Sequence, residues 1–134
     1  MSFTAVVDTS ALMEFLVGTN PDPELVKRLL TSTSAAPQLL TAESLHVLRK
    51  LERRGLLTAE QAEEAVDNLL DVPITLIDHP PLARRAWGLR HAASAYDALY
   101  LALAEQLDVP LVTCDARLAG APGHSADVEI YPIS

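Results

Sequence analysis

Short apolar runs alternate with stretches of helical period along almost the whole chain, and this alternation organises the first reading. Ala5-Val6-Val7 predicts a strand over about 4–8. A helix follows from about Ser10, with Leu12, Phe15 and Leu16 on one side, and Gly18-Thr19-Asn20-Pro21 stops it. Asp22-Pro23-Glu24 opens a second helix that should turn Leu25, Leu29 and Leu30 inward. Pro37-Gln38-Leu39-Leu40 reads as a brief strand or an extended lead-in. Thr41 is then the expected cap of a helix that runs to about Arg54 and ends at Gly55. Thr58-Ala59-Glu60-Gln61 has the form of a capping box and starts another helix.

The second half repeats the alternation. Ile74-Thr75-Leu76-Ile77 predicts a strand, and Pro80-Pro81 begins a helix containing Trp87. Residues 97–107 are apolar around nearly the whole circumference, the mark of a central buried helix. Pro110 to Cys114 is the cleanest buried strand, and Val128-Glu129-Ile130-Tyr131 alternates like an edge strand. Strands interleaved with helices imply an α/β fold with a mostly parallel sheet of about four to five strands flanked by helices. No repeat, low-complexity tract or long linker divides the chain, so a single domain over 1–134 is expected.

Composition changes this picture in three ways. Hydrophobic residues make up 49% of the 134 residues and aromatics only 4%, so the core must be built from Leu, Val, Ile and Ala. Cys114 is the single cysteine, which excludes an internal disulfide and a cysteine-rich zinc site and points to a reducing compartment. The amino terminus lacks a basic segment followed by an apolar stretch, and no window approaches a membrane span. A soluble, cytoplasmic protein without a membrane partner is the expectation. The net charge of −8 works against a nucleic-acid ligand, yet the charges are segregated. Glu60, Glu63, Glu64, Asp67 and Asp71 share an acidic stretch, whereas Arg49, Lys50, Arg53 and Arg54 crowd together, as do Arg84, Arg85 and Arg90.

Four carboxylates fall at the ends of predicted elements. Asp8 ends the first strand, Asp115 follows the 110–114 strand, Asp97 opens the buried helix, and Glu43 lies in the expected first turn of the helix near Thr41. In an open α/β sheet, ligands sit outside the carboxyl ends of the strands, so Asp8 and Asp115 can converge despite their separation in sequence. Clustered carboxylates repel one another and resist desolvation, and a hard divalent cation offsets both costs. Oxygen-only donors favour Mg²⁺ or Mn²⁺ over zinc, and none of the four histidines has zinc-like spacing. Each acid also has an ordinary structural reading: Asp8 as a helix cap, Asp97 as a first-turn acid behind Ser94, Asp115 as a turn residue, Glu43 as a surface acid. A phosphotransfer fold with a strand-end aspartate is disfavoured, because Thr9 and Ser10 stand where a second acid would be wanted. A non-catalytic binding or regulatory module, receiver-like or an inactive version of the same fold, is the other alternative.

The local motifs around the acids narrow the choice. Val7-Asp8-Thr9-Ser10-Ala11-Leu12, Thr41-Ala42-Glu43-Ser44-Leu45, Tyr96-Asp97-Ala98-Leu99-Tyr100-Leu101-Ala102 and Leu111-Val112-Thr113-Cys114-Asp115-Ala116-Arg117-Leu118 stand in an order and spacing that resembles the PIN-domain family. Within it, the chain is similar to the VapC-type toxins of bacterial toxin–antitoxin systems, from Val6 to about Tyr131. The resemblance implies a metal-dependent endoribonuclease that is neutralised by a cognate VapB-type antitoxin and forms a homodimer. It implies that Asp8, Asp97 and Asp115 hold Mg²⁺ or Mn²⁺ and that Glu43 ligates the metal or orients the attacking water. Ser10 and Thr113 would hydrogen-bond those carboxylates from behind.

Beyond the acids, an RNA substrate needs phosphate contacts, and Arg49, Lys50, Arg84 and Arg85 are the candidates, against a plain reading as solvated basic faces. Tyr96 and Tyr100, which flank Asp97, are expected to pack in the core, with stacking of one of them on a base as the alternative; Trp87 is expected in the core or an interface, and Cys114 as a packing residue without a histidine partner. The helices near 25–30 and 60–71 carry more apolar residues than a lone surface helix needs, which suits a groove for an antitoxin helix.

Overall fold

The computed structural model describes residues 2–134. Five strands form one sheet: β1 (Ala5–Val7), β2 (Ser34–Pro37), β3 (Ile74–Ile77), β4 (Leu111–Thr113) and β5 (Val128–Ile130). Their order is β3-β2-β1-β4-β5, and every pairing is parallel. The chain winds outward from β1 to one side, then crosses to the other. The reversal falls between β1 and β4, the kind of switch point at which α/β folds open a crevice. Six helices cover the sheet: α1 (Thr9–Val17), α2 (Pro23–Leu30), α3 (Leu39–Arg53), α4 (Ala59–Asp71), α5 (Pro80–Gly88) and α6 (Ala95–Leu107).

The local chemistry that starts and ends these elements is largely the one expected. Asp8 caps α1 by accepting from the Ala11 amide at 3.0 Å, and Asp22 caps α2 with Pro23 in the first turn. Thr58 and Gln61 close the capping box of α4 in both directions. Helix α6 ends at Asp108, which takes the left-handed conformation usually left to Gly. Gly18 ends α1 under a close approach. A Cβ there would lie 2.6 Å from the Glu14 carboxylate carbon and 2.4 Å from the Glu14 carbonyl oxygen, so no larger residue fits without movement.

Burial follows from the topology. β1 is wholly enclosed, because α6 covers it and β2 and β4 flank it on either side. Leu12, Leu25, Leu40, Leu82, Leu101 and Leu103 pack with Val6, Val7 and Val112 into an aliphatic core, as a chain poor in aromatics requires. Helix α6 buries Ala98 and the whole run from Tyr100 to Ala104, which fits its all-round apolar surface.

Four expectations need correction. The strand near Pro37 is Ser34–Pro37, and Leu39 and Leu40 already belong to α3. Small residues such as Ala35 and Ala36 have weak strand preference, but a slot between β1 and β3 under α6 selects them for size. Because α3 starts at Leu39, Thr41 is not its cap and Glu43 lies past the first turn. Leu30 does not turn inward: it is 70% exposed at the end of α2, beyond the reach of the sheet. Trp87 and Tyr96 are also exposed, so neither is core; Trp87 instead carries the Arg90 guanidinium 4.6 Å above its ring.

Candidate active site

The carboxyl ends of β1 and β4 are sewn together by two hydroxyls. Ser10 Oγ donates to Asp8 Oδ1 at 2.7 Å and accepts from the Cys114 amide at 2.9 Å. Thr113 Oγ1 donates to Asp8 Oδ2 and accepts from the Asp115 amide. Asp8 is thereby clamped with both oxygens engaged, and the turn that carries Asp115 is held beside it.

Asp115 stands in a similar capping role for the short 3₁₀ turn Ala116–Leu118. Its carboxylate also takes the Arg117 guanidinium, with Nη2 to Oδ2 at 2.6 Å and Nε to Oδ1 at 3.0 Å. Asp97 projects from the first turn of α6, where the Ser94 hydroxyl caps the helix through the Asp97 amide. Glu43 is held by a triangle: Thr9 Oγ1 donates to Glu43 Oε1 at 2.8 Å, Tyr100 Oη donates to the same oxygen at 2.7 Å, and the two hydroxyls lie 2.9 Å apart.

All four acids open into one cleft of about 970 Å³, with Met13, Val17, Val47, Leu51, Leu57 and Ile133 forming its apolar wall. Crowding is visible in their protonation. Burial, assisted by the neighbouring Asp115 charge, raises the Asp8 carboxyl from 3.8 to about 6, against the lowering effect of its three hydrogen bonds. Burial likewise raises Asp97, with Asp115 and Glu43 adding repulsion. Asp115 moves the other way because the Arg117 guanidinium holds it ionised. Burial pushes the Cys114 thiol up to about 11, in keeping with a packing role.

The structure therefore brings together Asp8, Glu43, Asp97 and Asp115, with Ser10 and Thr113 behind Asp8. It does not bring Arg84 or Arg85 to the cleft. Arg85 is engaged in a bidentate pair with Glu105 and also donates to the Gly123 carbonyl. Arg49 and Lys50 sit in a separate basic concavity with Arg53 and Arg54. The roles of Thr9 and Arg117 escaped the sequence reading, and Tyr100, expected in the core and buried there, also holds Glu43. Thr9 carried a weak signal as the residue after the first acid. Tyr100 had one only as an apolar-helix tyrosine whose hydroxyl would need a partner.

The PIN domain family profile matches residues 5–123. The chain belongs to the PIN-domain family. Within it, this PIN domain is 42% identical over 127 residues to Ribonuclease VapC1 of Mycobacterium tuberculosis, spanning 93% of this chain and 96% of that protein. It is 35% identical over 125 residues to Ribonuclease VapC12 of the same species, spanning 93% and 97%. Among solved structures, PAE2754 from Pyrobaculum aerophilum superposes with a TM-score of 0.71 at 23% identity, covering 93% of this chain and 82% of that one. VapBC2 from Rickettsia felis, bound to a DNA fragment from its promoter, superposes at 0.69 with 19% identity, covering 96% and 98%. These two share the fold. The sequence relatives place this PIN domain with the VapC proteins.

A divalent cation is a family expectation that the donor chemistry can be tested against. The donors are oxygen-only, Asp8 and Asp97 are raised chiefly by burial with the Asp115 charge adding repulsion, and among the described residues the counter-charge paired with them is the exposed Arg117 on Asp115. That set fits Mg²⁺ or Mn²⁺. Among the described residues, no group of three or more His, Cys, Asp or Glu side chains is already drawn together tightly enough to hold an ion. The acids line one cleft, with the Asp115 carboxylate paired to Arg117.

Proposed function

We propose that this PIN domain is a divalent-metal-dependent endoribonuclease and the toxin half of a toxin–antitoxin pair. One observation carries the reading: four carboxylates from β1, α3, α6 and the end of β4 line a single cleft, in a chain 42% identical to Ribonuclease VapC1. Asp8, Asp97 and Asp115 would hold the cation, with Glu43 beside it. Bound there, a divalent ion supplies a water of lowered pKa and charge stabilisation for the leaving oxygen of a phosphodiester.

The chain's own residues do the positioning. Ser10 and Thr113 fix the Asp8 carboxylate by both oxygens. Tyr100 and Thr9 both donate to Glu43 Oε1, so the other oxygen is free to orient an attacking water. Leaving Asp115 available requires the Arg117 side chain, 81% exposed, to swing away, which costs little at such exposure.

The partner is a VapB-type antitoxin, in keeping with the toxin–antitoxin complex from Klebsiella pneumoniae that shares this fold at a TM-score of 0.66. The apolar wall of the cleft suits a helix of such a partner. A homodimer accompanies the same reading. No helix among the described residues is long and apolar enough to cross a membrane.

The test is cleavage of total cellular RNA by purified protein with Mg²⁺, with Mn²⁺ and with EDTA, beside Asp97→Asn. Discrete products that vanish with EDTA, and fall by at least about a hundredfold in the variant, are expected. Absence of products from folded, antitoxin-free protein with either metal refutes the reading.

A further inference from the structure

The distribution of the ten basic side chains contains a second site. Arg28, Arg85 and Arg117 are paired with Glu129, Glu105 and Asp115. Of the seven that form no ion pair among the described residues, four (Arg49, Lys50, Arg53 and Arg54) lie within the last turns of α3 or just after it. Together they line a shallow concavity of about 370 Å³.

Helical geometry ties this concavity to the acids. At 100° per residue, Lys50 lies about 20° to one side of Glu43 and Arg54 about 20° to the other, so the three make a straight stripe along α3. Lys50 is about 10 Å and Arg54 about 16 Å along the axis from Glu43. His46 and Val47, between them, line the same cleft as Asp8, Asp97 and Asp115. Glu52, the one acid within the cluster, points about 180° away from the stripe.

The arrangement works against the helix itself. Arg49 with Arg53, Lys50 with Arg54 and Lys50 with Arg53 are like-charged neighbours one turn apart, each unfavourable. One or two cations satisfy the negative end of a helix, and four exceed that need. Such a cluster is relieved by a multivalent anion. In a protein of net charge −8, it is also the place where a polyanion meets least repulsion.

We propose that Lys50 and Arg54, flanked by Arg49 and Arg53, form a track for the RNA backbone leading away from the acid cluster along α3. The track rests on the ribonuclease reading for its choice of polyanion. A single strand whose scissile phosphate lies at the four acids would run its next few phosphates over Lys50 and then Arg54. The bases would face the apolar wall that begins at Val47 and Leu51. Contacts of this kind give affinity without sequence preference, so selection of the cut site must come from elsewhere in the cleft.

The experiment measures binding of a labelled single-stranded RNA to the full chain in EDTA by fluorescence anisotropy, over a salt series, with Mn²⁺-supported cleavage run in parallel. Two proteins are compared with the unaltered one: the double variant Lys50→Ala with Arg54→Ala, and a charge-matched control, Lys27→Ala with Arg90→Ala. The track predicts weaker binding in the first variant and a plot of log K against log salt shallower by about 1.4, for two phosphate contacts on a single strand. The control keeps the slope of the unaltered protein. An unchanged slope in the first variant, no RNA binding by the unaltered protein at low salt, or equal competition by an acidic polypeptide would each overturn the track. If the track effect is present and the unaltered protein cuts no RNA with Mn²⁺, the ribonuclease reading falls instead.

Discussion

Asp8 is where the fold is strained for the sake of the site, and replacing it with Asn should make the metal-free protein more stable at neutral pH. The side chain is 6% exposed, and burial is the main reason its carboxyl is raised from 3.8 to about 6. Between those two values the folded state holds a proton that the unfolded chain has released. Stability therefore falls as pH rises from about 4 through about 6, then levels off with Asp8 ionised. A shift of about two units corresponds to roughly 3 kcal/mol lost across that window. Asn removes the charge and keeps an oxygen for the Ala11 amide, but its NH₂ group faces the Thr113 hydroxyl, a mismatch costing about 1 kcal/mol. The net expectation at pH 8 is a gain of about 2 kcal/mol, or a melting temperature higher by about 8 °C. Urea unfolding in EDTA at pH 4.5 and pH 8 measures this directly, and subtracting the Asp8→Asn profile removes the other titrating groups. Mn²⁺ at pH 8 should raise the melting temperature of the unaltered protein much more than that of the variant. If the variant is less stable than the unaltered protein at pH 8, or if the two profiles are parallel, the buried-charge reasoning is wrong.

Other substitutions probe neighbouring parts of the same architecture. Tyr100→Phe deletes one of the two donors to Glu43 and should lower kcat for RNA cleavage by about tenfold with unchanged circular dichroism, whereas unchanged kcat would show that Glu43 needs no such support. Ser44→Ala removes a fully buried hydroxyl that has no hydrogen-bond partner among the described residues and gives α3 a better helix former. Stability should rise by about 1 kcal/mol in urea unfolding, and a loss would mean that the hydroxyl is satisfied in solution.

Much of this protein is written locally. The Thr58–Gln61 capping box, the stop at Gly18, the all-round apolar α6 and the alternation of strand and helix are short-range patterns, and each reappears in the structure. The acids at strand ends were legible for the same reason: a polar residue closing an apolar strand marks the sheet's carboxyl edge wherever that strand lies.

Other features depended on distance in space. Ser34–Pro37 is a strand only because β1 and β3 provide hydrogen-bond partners on either side and α6 leaves room for small side chains. The exposure of Tyr96, Trp87 and Leu30 and the pairing of Arg85 with Glu105 depend on which element packs opposite, which periodicity does not contain. The hydroxyl triangle on Glu43 joins residues 34, 57 and 91 positions apart. The sequence by itself determined which side chains carry charge and at which ends of elements they stand. Only the tertiary structure decided which of those charges share a cleft, because strand order, not sequence order, sets what lies beside β1.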